Sequence, residues 1–308
     1  MDISIVIPAY NEQDNVILLY REIKKAVDRI TRDYEIIYID DGSSDLTFKN
    51  LLKLSKEDSK VRIIKFRKNF GQTAAMDAGF KAAKGNIIVA MDADLQNDPA
   101  DIPKLLEKIN EGYDVVSGWR YKRKDPLSKK LISLLANFLR KRLTGEAIHD
   151  SGCSLKAYRK ECFEGLNLYG EMHRFIPALL KWKGFKISEV KVNHRPRKHG
   201  KTKYSLSRVM RGSLDLVVVL FWQKYSTRPI HLFGGLGLLT SFLGFVLLAY
   251  LAVMRLFYNT AIGNRPLLLL SILLVILGVQ FIIFGLIADV LVKIYYKDST
   301  NYSIEKII

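Results

Sequence analysis

The apolar run "IIVAM" is followed at once by "DADLQNDP", which carries Asp92, Asp94 and Asp98. Two carboxylates with one residue between them can place oxygens on one hard divalent cation, directly or through water, while that cation also holds phosphate oxygens. A diphosphate held in this way is a better leaving group. The D-x-D pattern alone is common on protein surfaces. Its place at the end of a strand-like run, with Gln96 close behind, gives it weight. Asp98 stands just before Pro99 and a helical pattern, and so reads as the cap of that helix. Competing chemistries lack their residues: the five histidines are scattered outside any H-E-x-x-H, no G-x-G-x-x-G follows the first strand, and no G-x-x-x-x-G-K-[ST] loop occurs.

These residues need a scaffold, and the hydrophobic pattern supplies one. Short β-branched runs alternate with helical patterns: "ISIVIPAY", "NVILLYREIKKAVDRI", "YEIIYIDD", "LTFKNLLKLSK", "VRIIKF", "TAAMDAGFKAAK", "IIVAMDAD", "PADIPKLLEKI" and "DVVSGWR". The alternation predicts an α/β fold with a mostly parallel sheet, in which ligands sit beyond the carboxyl ends of the strands. Polar residues follow four of those ends: Ala9 to Glu12, Asp40 to Ser44, Arg67 with Asn69 and Gly71, and Asp92 with Asp94 and Gln96. Singly, Asn11, Asp45 and Asp98 are ordinary turn or cap residues. Together the four ends describe a single polar crevice. Further on, "MHRFIPALLKWKG" reads as a short helix and "KISEVKVNH" as an alternating strand.

The chain has 308 residues and a formal net charge of +17. Leu232 to Met254 and Leu267 to Ala288 contain no charged side chain, and each is long enough to cross a hydrocarbon layer of ~30 Å as a helix. Their several glycines are better tolerated in membrane helices than in soluble ones. The short link "RLFYNTAIGNRP" makes a hairpin, so the N-terminal region and the C-terminal tail are expected in one compartment. The Lys and Arg residues flanking the hairpin put that compartment on the cytoplasmic side of the inner membrane, with two passes through the bilayer. No signal peptide is visible, and Cys153 and Cys162 are too few for a disulfide framework. The segment "DPLSKKLISLLANFLRKRLTG" sets leucines against a basic face and reads as a helix lying in the membrane interface, with a helix packed on the sheet as the alternative. "LSRVMRGSLDLVVVLFWQKYS" reads as a second interfacial helix. The basic balance therefore favours membrane lipid headgroups over nucleic acid, for which no motif is present. The expected organisation is an α/β domain over 1–200, an interfacial helix over 201–228, a transmembrane hairpin over 229–295 and a tail over 296–308.

"SIVIPAYNE", "IDDGSSD", "RKNFGQTAAMDAGFKAAKG", "MDADLQNDP" and "RKHGKTKYS" together resemble glycosyltransferase family 2, specifically its polyprenyl-phosphate glycosyltransferases. The resemblance runs over essentially the whole chain and implies a GT-A catalytic domain, Rossmann-like with a mostly parallel sheet, joined to interfacial amphipathic helices and two transmembrane helices. It implies that Pro8, Tyr10, Glu12, Asp40 and Asp41 bind the nucleoside of a nucleotide-sugar donor, and that Asp92, Asp94 and Gln96 hold Mg²⁺ or Mn²⁺ against the diphosphate. It places Arg197, Thr202 and Lys203 of "RKHGKTK" at the phosphates, with Thr202 where serine is commoner. Arg120 and Arg123 stand where the family offers basic residues to the phosphate of a polyprenyl phosphate acceptor. Asp150, in "HDSGC", either orients the acceptor or sugar or caps a turn.

The expected reaction is inverting transfer of one sugar to the lipid phosphate. That acceptor is already anionic, so charge neutralisation matters more than a strong base. By resemblance a UDP-sugar is preferred to GDP-mannose. A processive polysaccharide synthase would add a Q-x-x-R-W motif and more membrane helices. A non-catalytic lipid-phosphate carrier would have no use for intact Asp41, Asp92 and Asp94. Association into a homo-oligomer is left open.

Overall fold

A computed structural model describes residues 1–121, 148–168, 170, 172–196, 221, 225, 228–263 and 265–295. The expected interfacial helices, the "GKTK" loop and the C-terminal tail lie wholly or mostly outside them. The chain divides into two compact units, Met1–Val219 and Leu220–Ile308.

In the first unit the chain runs β1 (Ile3–Ala9), α1 (Val16–Val27), β2 (Tyr34–Asp40), α2 (Thr47–Glu57), β3 (Val61–Lys65), α3 (Gln72–Ala82), β4 (Ile87–Ala90), α4 (Ile102–Asn110), β5 (Val115–Trp119), β6 (Lys156–Arg159), α5 (Ile176–Trp182) and β7 (Ile187–Lys191). The strands form one sheet in the order β3-β2-β1-β4-β6-β5-β7. β1 to β4 are parallel neighbours, whereas β6 is antiparallel to both β4 and β5. Two reversals restore the direction, so β5 and its parallel partner β7 run the same way as β4. β6 was not foreseen, since "LKAYR" shows no period long enough to mark a strand.

The sheet is apolar on both faces. Ile5, Ile7, Ile36 and Tyr38 pack against α1 and α4, while Val6, Ile37 and Ile39 face α3 on the other side. This is why β1 and β2 read as continuous hydrophobic runs rather than alternating ones. Glu35, at the amino edge of β2, is satisfied by Ser4, Arg62 and the amide of Lys84. It is a brace. The acids that matter for chemistry sit at the opposite edge.

The second unit holds two helices, α6 (Ile230–Tyr258) and α7 (Pro266–Tyr295). Each is long and apolar enough to cross a membrane. They meet along small residues: a Cβ on Gly278 would lie 2.0 Å from Ser241 Oγ and 2.6 Å from the Gly237 carbonyl oxygen, and one on Gly244 would lie 2.8 Å from the carbonyl of Ser271. Close approach of backbones is how helices associate where lipid removes the hydrophobic drive. Leu238, Phe242, Phe245, Leu269, Phe284 and Leu291 point outward. Gly278→Leu is therefore expected to push the helices apart and lower the thermal midpoint in detergent by several degrees, whereas Leu269→Ala on the outer face should leave it nearly unchanged.

Candidate active site

The chain moves outward from β1 to β2 and β3, then returns to lay β4 on the other side of β1. Such a switch point opens a crevice at the carboxyl ends of the two central strands. The ends of β1 to β5 and of β7 all lie on this edge, and because β6 runs the other way, its entry segment 150–155 lies there too. Topology alone thus gathers Asp40, Asp41, Asp92, Asp94, Arg120 and Asp150 along one rim.

The metal-binding candidates come first. β4 ends at Ala90, paired with Val6 on one side and Lys156 on the other. Beyond it Asp94 is only 6% exposed, and its Oδ1 accepts from the amide of Gln96 at 3.1 Å. Gln96 thus contributes its backbone to the turn. Leu95 makes that turn possible by taking a φ of 61°, a left-handed conformation that costs a bulky residue about 1–3 kcal/mol. Burial and the nearby charge of Asp94 raise the pKa of Asp92 above the ordinary carboxyl range, against the opposing pull of Ser154, Lys156 and Arg120. Two mutually repelling carboxylates, Asp94 buried and Asp92 half-buried, are a fitting donor set for Mg²⁺ or Mn²⁺, whose charge would relieve both effects. Among the described residues no group of three His, Cys, Asp or Glu side chains could close round a metal. A pair of carboxylates suits a cation that shares its other positions with water and substrate phosphates.

The loop after β3 ties this pair to the end of β2. Asp41 Oδ1 and Oδ2 accept from the amides of Phe70 at 2.7 Å and Gly71 at 3.0 Å, and Gln72 Nε2 donates to Asp92 Oδ1 at 2.7 Å. "NFGQ" is thereby a bridge between the two acidic strand ends. Gly42, with φ of 70°, lets the β2 loop touch the β3 loop: a Cβ there would sit 2.4 Å from the carbonyl carbon of Lys68.

The expected nucleoside residues line the other half of the crevice. Pro8 lies within β1 opposite Ile39, and Tyr10 is half-buried directly after that strand. Asn11 joins the β1 and β2 loops through Ser43 and Ser44, while the Glu12 amide donates to Thr47 Oγ1 at 2.8 Å. Asp40 is fully buried and accepts from the Ser43 amide at 3.1 Å. Its second oxygen is buried with no hydrogen-bond partner, a position an incoming N–H donor would satisfy.

Arg120 and Asp150 form a two-pronged ion pair, Nε to Oδ2 at 2.6 Å and Nη2 to Oδ1 at 2.8 Å. The side chains are 12% and 19% exposed. Burial opposes ionisation of Asp150, but Arg120 outweighs it and holds the carboxyl below its ordinary pKa. Asp150 is therefore an anion paired with the Arg120 guanidinium. Arg123, Arg197, Thr202 and Lys203 lie outside the described residues.

Several participants were not anticipated. Besides Gln72, they are Ser154, Lys156 and Arg195. The last lies in a strap after β7, where His194 bridges Asn97 and the Arg195 amide donates to the Gln96 carbonyl at 2.9 Å. Its guanidinium reaches Glu22 at 2.6 Å and Asp98 at 2.8 Å. Asp98 does cap the following turn, accepting from the Ala100 amide at 3.0 Å, and it also anchors this strap. Only Gln72 had a usable signal, as the first helical residue of the quoted "RKNFGQTAA". Cysteine nucleophiles are disfavoured, since burial pushes the thiols of Cys153 and Cys162 up to about 11 and about 12.

The chain is similar to known proteins along its length. The family model described as glycosyl transferase family 2 matches residues 4–166. A dodecaprenyl-phosphate galacturonate synthase of Rhizobium johnstonii is 41% identical over 100% of this chain and 93% of its own. An undecaprenyl-phosphate 4-deoxy-4-formamido-L-arabinose transferase of Salmonella choleraesuis is 37% identical over 99% and 93%. Among solved structures, glucosyl-3-phosphoglycerate synthase of Mycobacterium tuberculosis with phosphoglyceric acid gives a TM-score of 0.55 at 21% identity, covering 72% of this chain and 79% of that one. The same enzyme with Mn²⁺, UDP-glucose and phosphoglyceric acid gives 0.55 at 18%, with the same coverage. These structural likenesses establish the GT-A fold. With the family model and the full-length relatives, they make this chain a member of glycosyl transferase family 2 and a glycosyltransferase of its polyprenyl-phosphate group.

Proposed function

We propose that the protein transfers a single sugar from a uridine diphosphate sugar to a polyprenyl phosphate, with inversion, at the cytoplasmic face of the inner membrane. The observation that carries this most directly is the Asp92–Asp94 pair, tied through Gln72 to the Asp41 loop and flanked by the Arg120–Asp150 pair. An acidic pair beside an oriented guanidinium suits a reaction between two phosphate-bearing substrates. Pro8, Tyr10, Glu12, Asp40 and Asp41 would surround the nucleoside. Asp92 and Asp94 would hold Mg²⁺ or Mn²⁺, which when bound supplies positive charge against the diphosphate.

Arg120, kept in place by Asp150, would direct a phosphate oxygen of the acceptor at the anomeric carbon. That oxygen forms the new bond as the bond from carbon to the donor diphosphate breaks, the electron pair leaving with the diphosphate. No protein group has to accept a proton, because the acceptor oxygen is already anionic and Asp150 is engaged as an anion. Arg197, Thr202, Lys203 and Arg123 would add charge around the phosphates. The preference for uridine rests on sequence resemblance and on the UDP-glucose bound by the structural neighbour. The two apolar helices would cross the bilayer, their flanking basic residues favouring the cytoplasmic side.

Purified protein with short polyprenyl phosphate, Mn²⁺ or Mg²⁺ and a panel of UDP- and GDP-sugars, uronic acids and aminoarabinose derivatives included, tests the proposal by the mass of the lipid product. The expected product is lipid phosphate plus one sugar from a UDP donor. A polymer, a product from GDP-mannose alone, or tight donor binding without turnover across the panel would each overturn it.

A further inference from the structure

Lys156 is the first residue of β6 and is 4% exposed, which is rare for a lysine. Its ammonium donates to the carbonyl of Ser151 at 3.0 Å and to that of Cys153. The side chain therefore folds back under the segment that leads from Asp150 into β6. In the sheet it lies opposite Ala90, two residues before Asp92, and opposite Ser117, three before Arg120. Ser154 connects the same segment to the D-x-D loop, since Asn97 Nδ2 donates to its Oγ at 2.6 Å. The charge of Lys156 is felt at both Asp92 and Asp150. The antiparallel entry of β6 is what places a cation from the middle of the sheet under the acidic rim.

We propose that Lys156 is a built-in counter-charge of the acidic crevice, a positioning residue that holds the Asp150–Ser154 segment and moderates the attraction of Asp92 and Asp94 for a divalent cation. Five carboxylates along the rim, Asp40, Asp41, Asp92, Asp94 and Asp150, meet two cations, Arg120 and Lys156, so negative charge is in excess before substrates arrive. Without Lys156 that excess would be larger and would grip a divalent cation harder. A cation that must travel with donor and diphosphate product is better held moderately. Lys156 thus trades metal affinity for turnover, while its two carbonyl contacts keep Asp150 in register with Arg120. This inference rests on the assignment of Asp92 and Asp94 as the metal ligands.

Lys156→Gln removes the charge yet keeps a donor for the two carbonyls. Mn²⁺ binding to the full-length protein in detergent, followed by the electron paramagnetic resonance signal of free Mn²⁺, should become tighter by about three- to tenfold in this variant. Turnover should fall at the same time, because the product leaves more slowly. Lys156→Arg keeps the charge and should bind Mn²⁺ as the unaltered protein does, even if its packing costs stability. Unchanged or weaker Mn²⁺ binding in Lys156→Gln, or tighter binding in Lys156→Arg, would overturn the proposal, and the second result decides the matter if the Gln variant fails to fold. If the unaltered protein binds no Mn²⁺, or if Asp94→Ala binds it equally well, the metal assignment itself is wrong.

Discussion

Asp94→Ala is expected to lower kcat for sugar transfer by about 10²–10³-fold and to abolish saturable stimulation by Mn²⁺ or Mg²⁺, with the fold intact by circular dichroism. Asp94 is buried at 6% exposure and its Oδ1 closes the turn onto the Gln96 amide, so alanine removes a ligand and one loop hydrogen bond. The second loss is worth about 1 kcal/mol and cannot account for the first. Asp94→Asn separates the two, since it retains an acceptor for Gln96 but not the negative charge. It should keep stability near that of the unaltered protein and remain nearly as inactive as the alanine variant. Asp98→Asn is the matching control: it keeps the cap on Ala100 and should retain most of the activity. Full metal-dependent transfer by Asp94→Ala would remove Asp94 from the catalytic assignment.

The second large effect concerns the pair beside it. Arg120→Met leaves the Asp150 carboxylate partly buried without its two-pronged partner, and breaking a buried pair from one side costs about 3–5 kcal/mol. At 12% and 19% exposure the lower end of that range, about 3 kcal/mol, is expected. Thermal unfolding in detergent would measure it. Replacing both residues, Arg120→Met with Asp150→Leu, should recover most of the stability but none of the transfer, and the Michaelis constant for polyprenyl phosphate should rise in every variant lacking Arg120. Recovery of activity in the double variant would show that the pair serves the fold alone.

The same pair gives a pH dependence whose sign follows from its direction. Arg120 holds the folded-state pKa of Asp150 below the ordinary value, so the unfolded chain takes up the proton first as pH falls. The stability contributed by the pair is complete above about pH 4, the ordinary carboxyl pKa, and fades as the pH drops below it. The stability advantage of the unaltered protein over Arg120→Met should therefore shrink on acidification below about pH 4, and a constant difference would contradict the pairing.

Much of the fold was readable because its signals are local. The parallel strands are buried on both faces, so β1, β2 and β4 announce themselves as uninterrupted β-branched runs, and the rule that ligands gather at strand carboxyl ends pointed to Asp40, Asp41, Asp92 and Asp94 at once. The two membrane-length helices were equally plain, since length and apolarity are all that such a segment requires. Asp98 was recognised as a cap from its place before Pro99, because capping joins residues only two apart.

What escaped the sequence depends on contacts between distant residues. β6 is four residues long and earns its place by filling the gap between β4 and β5, a gap that local pattern cannot reveal. With it came everything it positions: Lys156 under the acidic rim, Ser154 beside Asn97, and Asp150 within reach of Arg120. Asp150 could be an orienting group or a turn cap on sequence grounds, and nothing local showed that it pairs with Arg120, 30 residues away in the chain. The sequence by itself determined the residue types, the strand and helix periods and hence the class of chemistry. The tertiary structure alone decided which charges meet, because the Coulomb energy of a buried pair depends on distance and burial, and neither is encoded in the spacing along the chain.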